Sequence, residues 1–275
     1  DYEGQLRRLG LKNDKAFTCT CYMDEVGNVP ARGQVLSWSE SSAVVYANSV
    51  LGARCNRNSA YMDIFGAILG RVPYFGLLTD EGRRASWVVE VKTSKRPEAQ
   101  VLGSAIGLKV MEDVPYIKGL APFLGGQLDD SAKAYLKDMG AASASNGAVG
   151  LYHVEGLTPE AVDLGDALIR PGAKTYVIDD AELERVKAGY PVIWKNPDAK
   201  PKLCFIGCPH LSLSQLIGWT EKLEGALQGG RLKIKTVLTA APDVLEAFRK
   251  TPYFERLRAT GARLSYICPL MYMNN

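Results

Sequence analysis

Histidine is scarce in this 275-residue sequence: there are two, His153 and His210. A zinc centre built mainly on imidazoles is therefore disfavoured. No apolar run approaches the roughly 18 residues that a membrane-crossing helix needs, so no membrane partner is expected. Basic tracts are missing as well. Lys and Arg number 33 against 30 Asp and Glu, a net charge of +3 without a long cluster. That balance offers no electrostatic footprint for nucleic acid. Internal repeats, low-complexity tracts and linkers of disordered composition are also lacking. The opening "DYEGQLRRLGLKND" has neither an initiator Met nor the apolar core of a secretory signal. Without such a signal, Cys19, Cys21, Cys55, Cys204, Cys208 and Cys268 point away from a disulfide framework. The expectation is a cytoplasmic protein with reduced thiols, either buried as small hydrophobes or used as metal ligands.

What remains is an ordinary globular composition, 47% hydrophobic and 23% charged, with length enough for two domains. The second half is the more regular. "KTYVID" (174–179), "KPKLCFIGC", "LKIKTVLTA" and "ARLSYIC" read as strands, separated by "DDAELERVKAGY", "SLSQLIGWTEKLEGALQGG" and "APDVLEAFRKTPYFERLRATG" as helices. Strand–helix alternation predicts an α/β domain over 156–275, with a mainly parallel sheet covered by helices. Residues 1–155 are expected to form a less regular α/β domain. There "SWSESSAVVYANSVLGARCNRNSAYMDIFGAILG" reads as a long helical stretch, with small residues on nearly every face of its first part. "RRASWVVEVKTS" reads as a strand and "AKAYLKDMG" as a helix, and "GLLTDEGRRA" reads as a charged surface turn.

Two strand candidates stop at Cys-Pro, Cys208-Pro209 and Cys268-Pro269. Proline removes a backbone donor and resists continuation of the strand. Each strand thus ends by leaving a thiol at the sheet rim, where ligand chemistry gathers in open parallel sheets. Both strands are expected in one sheet, with the Cys208 and Cys268 sulfurs near one another at the same rim. Opposite edges, or opposite ends, of the sheet would reduce the echo to a way of ending strands. Cys204, mid-strand, is expected in the core. The third thiol is open among Cys19, Cys21 and Cys55 on spacing alone, and His153 and His210 read equally well as structural histidines. A second polar cluster holds Glu40, Ser41, Ser42, Asn48, Arg54 and Arg57. Arg54 and Arg57, three apart, are expected on one helix face, where two guanidinium forks would suit a carboxylate-bearing substrate.

The stretches "FTCTCY", "WSESSAVVYANSVLGARCNRNS", "VPYFGLLTDEGR", "LYHVEGLTPEA", "FIGCPHLSLSQL" and "YICPLMYMNN" together resemble aconitase X, a branch of the aconitase superfamily. The resemblance implies an aconitase-like α/β fold. It also implies a hydro-lyase, such as the dehydratases of cis-3-hydroxy-L-proline and of phosphomevalonate. It implies an iron centre, a 4Fe–4S or 2Fe–2S cluster or mononuclear iron, on Cys19, Cys208 and Cys268. The substrate side would use Glu40, Ser41, Ser42, Asn48, Arg54 and Arg57. A catalytic base would come from a small aconitase X subunit or domain. Relatives commonly carry Thr-Pro where this chain has Thr20-Cys21, and Thr in place of Cys55. They also extend further at both ends, so the chain is expected to be a fragment lacking both ends and inactive alone. The competing expectations are a non-catalytic scaffold, a structural-metal protein, or a thiol redox protein using Cys19 and Cys21.

Overall fold

The computed structural model describes residues 2–13, 18–191, 196 and 198–269. Its helices are α1 (Tyr2–Arg8), α2 (Ser41–Ser49), α3 (Ala60–Leu69), α4 (Ala99–Val110), α5 (Asp130–Asn146), α6 (Pro159–Leu164), α7 (Asp180–Ala188), α8 (Leu213–Leu227), α9 (Pro242–Arg249) and α10 (Tyr253–Ala259). Its strands are β1 (Ala85–Val91), β2 (Pro115–Lys118), β3 (His153–Val154), β4 (Ile169–Ile178), β5 (Leu203–Ile206), β6 (Lys235–Thr239) and β7 (Arg263–Ser265). They build two compact units: one from residues 30–191, the other from 1–29 joined to 192–275.

In the 30–191 unit a parallel sheet runs in the order β3-β2-β1-β4. β1 alternates buried and half-buried residues, as a period-two strand with one face on the core must. Helices α4 and α5 pack against each other at glycine. A Cβ on Gly107 would sit 2.6 Å from the Ser143 carbonyl oxygen, so only hydrogen allows this approach. Helix α2 is buried from Ser42 to Ser49 without a polar stripe. The small-residue pattern had predicted a helix packed on every side, and this is one. The long helical stretch, however, breaks after Ser49. Gly52 adopts φ +70°, and Arg54 forms a parallel bridge with Val35. Helix α3 restarts on a Ser59 cap whose side chain accepts from the Met62 N–H. It buries Asp63 and Gly66 and exposes Tyr61, Phe65, Ile68 and Leu69.

The other unit holds the parallel sheet β5-β6-β7. Helix α8 begins with a reciprocal capping box between Ser212 and Gln215. Leu211, Leu216, Leu238, Val244, Leu245, Phe248 and Leu257 form its core, and Val26 joins them, so the segment 18–29 belongs to this unit.

Two readings of organisation change. The strand expected at 174–179 exists, but it pairs with β1 (Trp87 with Lys174 through Val91 with Ile178) and so belongs to the first sheet. The C-terminal sheet therefore has three strands rather than four. The division proposed at 155/156 falls between β3 and α6, inside the 30–191 unit.

Candidate functional site

The thiol-bearing rim lies in the unit of β5, β6 and β7. Gly207 follows β5 at φ +114°, and a Cβ there would meet the Thr239 carbonyl oxygen at 2.6 Å. The chain can therefore fold tightly over the carboxyl end of β6. The Thr239 hydroxyl donates to the Gly207 carbonyl (2.6 Å), and the Leu211 N–H donates to the Thr239 carbonyl (2.8 Å). Between these anchors Cys208 is exposed and His210 is buried. The His210 N–H donates to Cys19 Sγ at 3.2 Å, and His210 Nδ1 lies 2.8 Å from Thr18 Oγ1. One segment thus carries Cys208 and holds Cys19, two candidate donors within a few residues of contact.

Cys268 is placed differently. It is exposed, three residues beyond β7, whose last residue Ser265 accepts from the Ala240 N–H at 3.1 Å. Because the order is β5-β6-β7, the Cys-Pro turns follow strands at the same end of the sheet but at its opposite edges. Two strand spacings, about 10 Å, separate those edges. The close approach of Cys208 to Cys268 expected from the sequence is therefore not supplied by the sheet, and the Cys-Pro echo is by itself a way of ending strands. Among the described residues no three His, Cys, Asp or Glu side chains gather into a metal-binding group. The donor chemistry suits iron, since the chain offers six cysteines outside disulfides and thiolates are its natural ligands. The placement sets Cys19 Sγ against the backbone N–H two residues beyond Cys208.

The remaining cysteines separate by environment. Cys204 is half-buried in β5. Cys21 is half-buried near Cys19 in the sequence. Cys55 lies in the other unit, fully buried, with Sγ 3.6 Å from the Trp38 carbonyl oxygen. Burial pushes its thiol up to about 11, so it is held protonated.

The second polar cluster lies in the 30–191 unit. Glu40 caps α2: its Oε2 accepts from the Ala43 N–H and the Ser42 hydroxyl, both at 2.7 Å. Ser41 is half-buried at the first position of the helix. Asn48 is fully buried and committed to the backbone. Its Nδ2 donates to the carbonyls of Cys55 and Gly150 at 2.8 Å each, and its Oδ1 accepts from the Cys55 N–H at 3.0 Å. It ties two loops together rather than presenting its amide outward. Arg54 and Arg57 do not share a helix face, because residues 51–59 are not helical. Arg54 donates to the Leu78 carbonyl (2.7 Å) and forms an ion pair with Asp80. Arg57 is exposed and donates to the Ala144 carbonyl at 3.3 Å.

Beneath this cluster is a network that the sequence reading missed. Arg83, expected on a charged surface turn, is 1% exposed. Its Nε and Nη2 meet Glu160 at 2.7 and 2.8 Å, a bidentate pair, while Nη1 reaches Asn48 Oδ1 and the Leu77 carbonyl at 3.0 Å each. His153 is buried against it, with Nε2 2.8 Å from the Arg83 carbonyl oxygen. Burial pulls the His153 imidazole below its ordinary value. The turn "DEGRR" carries no apolar periodicity, so nothing local marks Arg83, the first of its two arginines, as interior; its partner lies 77 residues away.

The model of the aconitase X first domain matches residues 3–81, and that of the aconitase X second domain matches residues 85–188. The chain belongs to the aconitase X family. Among curated aconitase X relatives, the phosphomevalonate dehydratase large subunit of Thermococcus kodakarensis is 37% identical over 237 residues, 86% of this chain and 56% of that protein. The cis-3-hydroxy-L-proline dehydratase of Pseudomonas aeruginosa is 32% identical over 262 residues, 93% of this chain and 43% of the relative. The crystal structure of the holo-form of Thermococcus kodakaraensis aconitase X superposes with a TM-score of 0.81 at 33% identity, over 96% of this chain and 63% of that one. The chain thus spans about half the length of these curated relatives. The aconitase-like α/β fold with parallel sheets stands. The family models divide at 81/85, where the charged turn enters β1, rather than near 155.

Proposed function

We propose that this chain carries the thiol rim and the arginine-bearing side of an aconitase X hydro-lyase. The reaction removes water from a small hydroxycarboxylate. The hydroxyl leaves one carbon, a proton leaves its neighbour, and a carbon–carbon double bond remains. The observation that carries the reading is similarity, over 86% and 93% of the chain, to dehydratases of two different substrates. Phosphomevalonate and cis-3-hydroxy-L-proline differ in most of their groups. Both bear a hydroxyl on the carbon β to a carboxylate, and that shared feature is the substrate class proposed here.

The cofactor proposed is an iron-containing group, a cluster or mononuclear iron, with Cys19, Cys208 and Cys268 as the thiols that would hold it. Such a group, when bound, supplies Lewis-acid polarisation of the leaving hydroxyl. The side chains of the 30–191 unit orient the carboxylate, from the set Glu40, Ser41, Ser42, Asn48, Arg54 and Arg57. Asn48 would act in that set by holding loops, a reading supported by its buried amide bonds. A small subunit or domain is the proposed source of the proton acceptor, in keeping with relatives named as large subunits. Six cysteines outside disulfides are consistent with the reducing cytoplasm. Among the described residues no helix is long and apolar enough to cross a membrane.

The test is a dehydratase assay on the complete enzyme, reconstituted anaerobically with iron and offered both named substrates. Turnover of one, with the present chain alone inactive, is the expected result. Failure to dehydrate either substrate with iron bound refutes the reading. The separation of Cys208 and Cys268 across β6 leaves two alternatives, in which the thiols serve a structural metal or redox exchange. Cys208→Ser would then unfold the unit in the first case and be silent in the second, where only Cys19 and Cys21 matter. In the enzyme it would abolish iron binding and spare the fold.

A further inference from the structure

Arg54 and Arg57 look interchangeable in the sequence, three residues apart beside Asn56. Their surroundings are opposite. The Arg54 backbone is fixed on both sides, its N–H donating to the Gln34 carbonyl (2.8 Å) and its carbonyl accepting from the Leu36 N–H (2.9 Å). Its guanidinium is spent on the Leu78 carbonyl and the Asp80 carboxylate. It fastens this loop to the turn that precedes β1.

The Arg57 stem is equally well seated, but its head is not spent. A Cβ on Gly150 would come within 3.2 Å of both Cγ and Cδ of Arg57, so the absence of a side chain at Gly150 makes room for the arginine stem. The Gly150 carbonyl and the Cys55 carbonyl are both held at 2.8 Å by the one Asn48 amide, which Arg83 holds in turn. Both sides of the seat are therefore fixed from below. At the head, one N–H meets Ala144 O at 3.3 Å, and the other four donors of the fork have no acceptor among the described residues. Glu40 stands near enough to favour the charged guanidinium against partial burial, but its Oε2 is taken by Ser42 and Ala43, and it forms no hydrogen bond with Arg57. A held stem with an open planar fork is the arrangement that receives a carboxylate bidentately.

Resting on the hydro-lyase reading above, we infer that Arg57, and not Arg54, is the specificity-determining side chain that meets the substrate carboxylate, while Arg54 is a positioning residue. Arg57 binds by its charge and fork, and Gly150 and Asn48 set where the fork points.

The experiment uses the complete enzyme with phosphomevalonate and cis-3-hydroxy-L-proline as probes, measuring binding by calorimetry beside steady-state kinetics. Arg57→Ala is expected to weaken binding and raise KM at least tenfold, to leave Tm nearly unchanged, and to recover in part with added methylguanidine. Arg57→Lys should fall between the two, since it keeps the charge and loses the fork. Arg54→Ala should lower Tm and weaken binding less than Arg57→Ala does. Unchanged binding by Arg57→Ala, or a larger binding loss in Arg54→Ala at unchanged Tm, overturns the assignment. Wild-type enzyme that binds a probe through Arg57 but does not dehydrate it keeps the assignment and sinks the hydro-lyase reading. Wild-type enzyme that binds neither probe sinks both.

Discussion

Removing the charge of Glu160 should destabilise the 30–191 unit severely, although the residue lies outside the proposed chemistry. Glu160→Gln keeps the side-chain shape but leaves Arg83 with a neutral partner. Arg83 is 1% exposed, and water cannot replace what it loses. Two bonds between ionised partners, at 2.7 and 2.8 Å, become at best one bond to a neutral acceptor. Hydrogen bonds to charged groups contribute about 1.5–3 kcal/mol each, and breaking one side of a buried pair costs about 3–5 kcal/mol. The lower end, about 3 kcal/mol, fits here because Arg83 keeps its bonds to Asn48 and to the Leu77 carbonyl. For a protein of this size that corresponds to about 6–12 °C in Tm. Urea unfolding followed by circular dichroism measures the loss. The paired change Arg83→Met with Glu160→Leu should recover more than half of it, because no charge is then left buried alone. A loss under about 1 kcal/mol for Glu160→Gln would show that solvent reaches Arg83 and that the buried network is not what fixes Asn48.

Two further outcomes follow from burial. His153 is held below its ordinary value chiefly by burial, so as pH falls below about 6.5 the unfolded chain takes up a proton that the folded one refuses. Stability should therefore drop as pH falls through that window, and His153→Gln should flatten this part of the profile in urea titrations; an unchanged slope refutes it. Cys55, with its thiol pushed up to about 11 inside the core, should resist labelling by a thiol reagent at pH 8 in the native, iron-free protein, while the exposed Cys208 and Cys268 label quickly. Peptide mapping that finds Cys55 labelled as fast as Cys208 contradicts the placement.

Much of the secondary structure was legible because its signals are local. The Ser212 capping box and the apolar spacing of α8, the Cys-Pro stops after β5 and β7, and the alternation in β1 each need only a few neighbouring residues. The long helical stretch failed at Ser49 because its break is imposed from a distance. Asn48 draws the Cys55 and Gly150 carbonyls together, and Gly150 is 102 residues away. The same cause hid Arg83, whose partner sits on α6. Helix α4 and strand β2 were overlooked because "AQVLGSAIGLKV" and "PYIK" are nearly buried throughout and show no polar face to give a period. Strand β4 was recognised but assigned to the wrong sheet. Its sequence specifies an extended chain, while its neighbour is chosen by the register with β1.

The thiol rim shows where reading a motif stops short of reading a site. The Cys-Pro echo correctly marked two strand ends at one end of one sheet. It carried no information on strand order, and strand order decides distance. With β6 between β5 and β7, the strand ends alone leave about 10 Å to cross. What the echo could not signal is the contact that does form, Cys19 Sγ accepting from the His210 backbone, because it joins residues 191 apart. Cys19 and Cys208 thus meet one backbone segment, and Cys268 is the proposed ligand on which the three readings diverge. In an iron-binding enzyme Cys268→Ser should lose iron as completely as Cys19→Ser and Cys208→Ser do, with the iron-free folds equally stable. Iron retained by Cys268→Ser, measured beside the other two, would remove it from the set and leave a two-thiol rim.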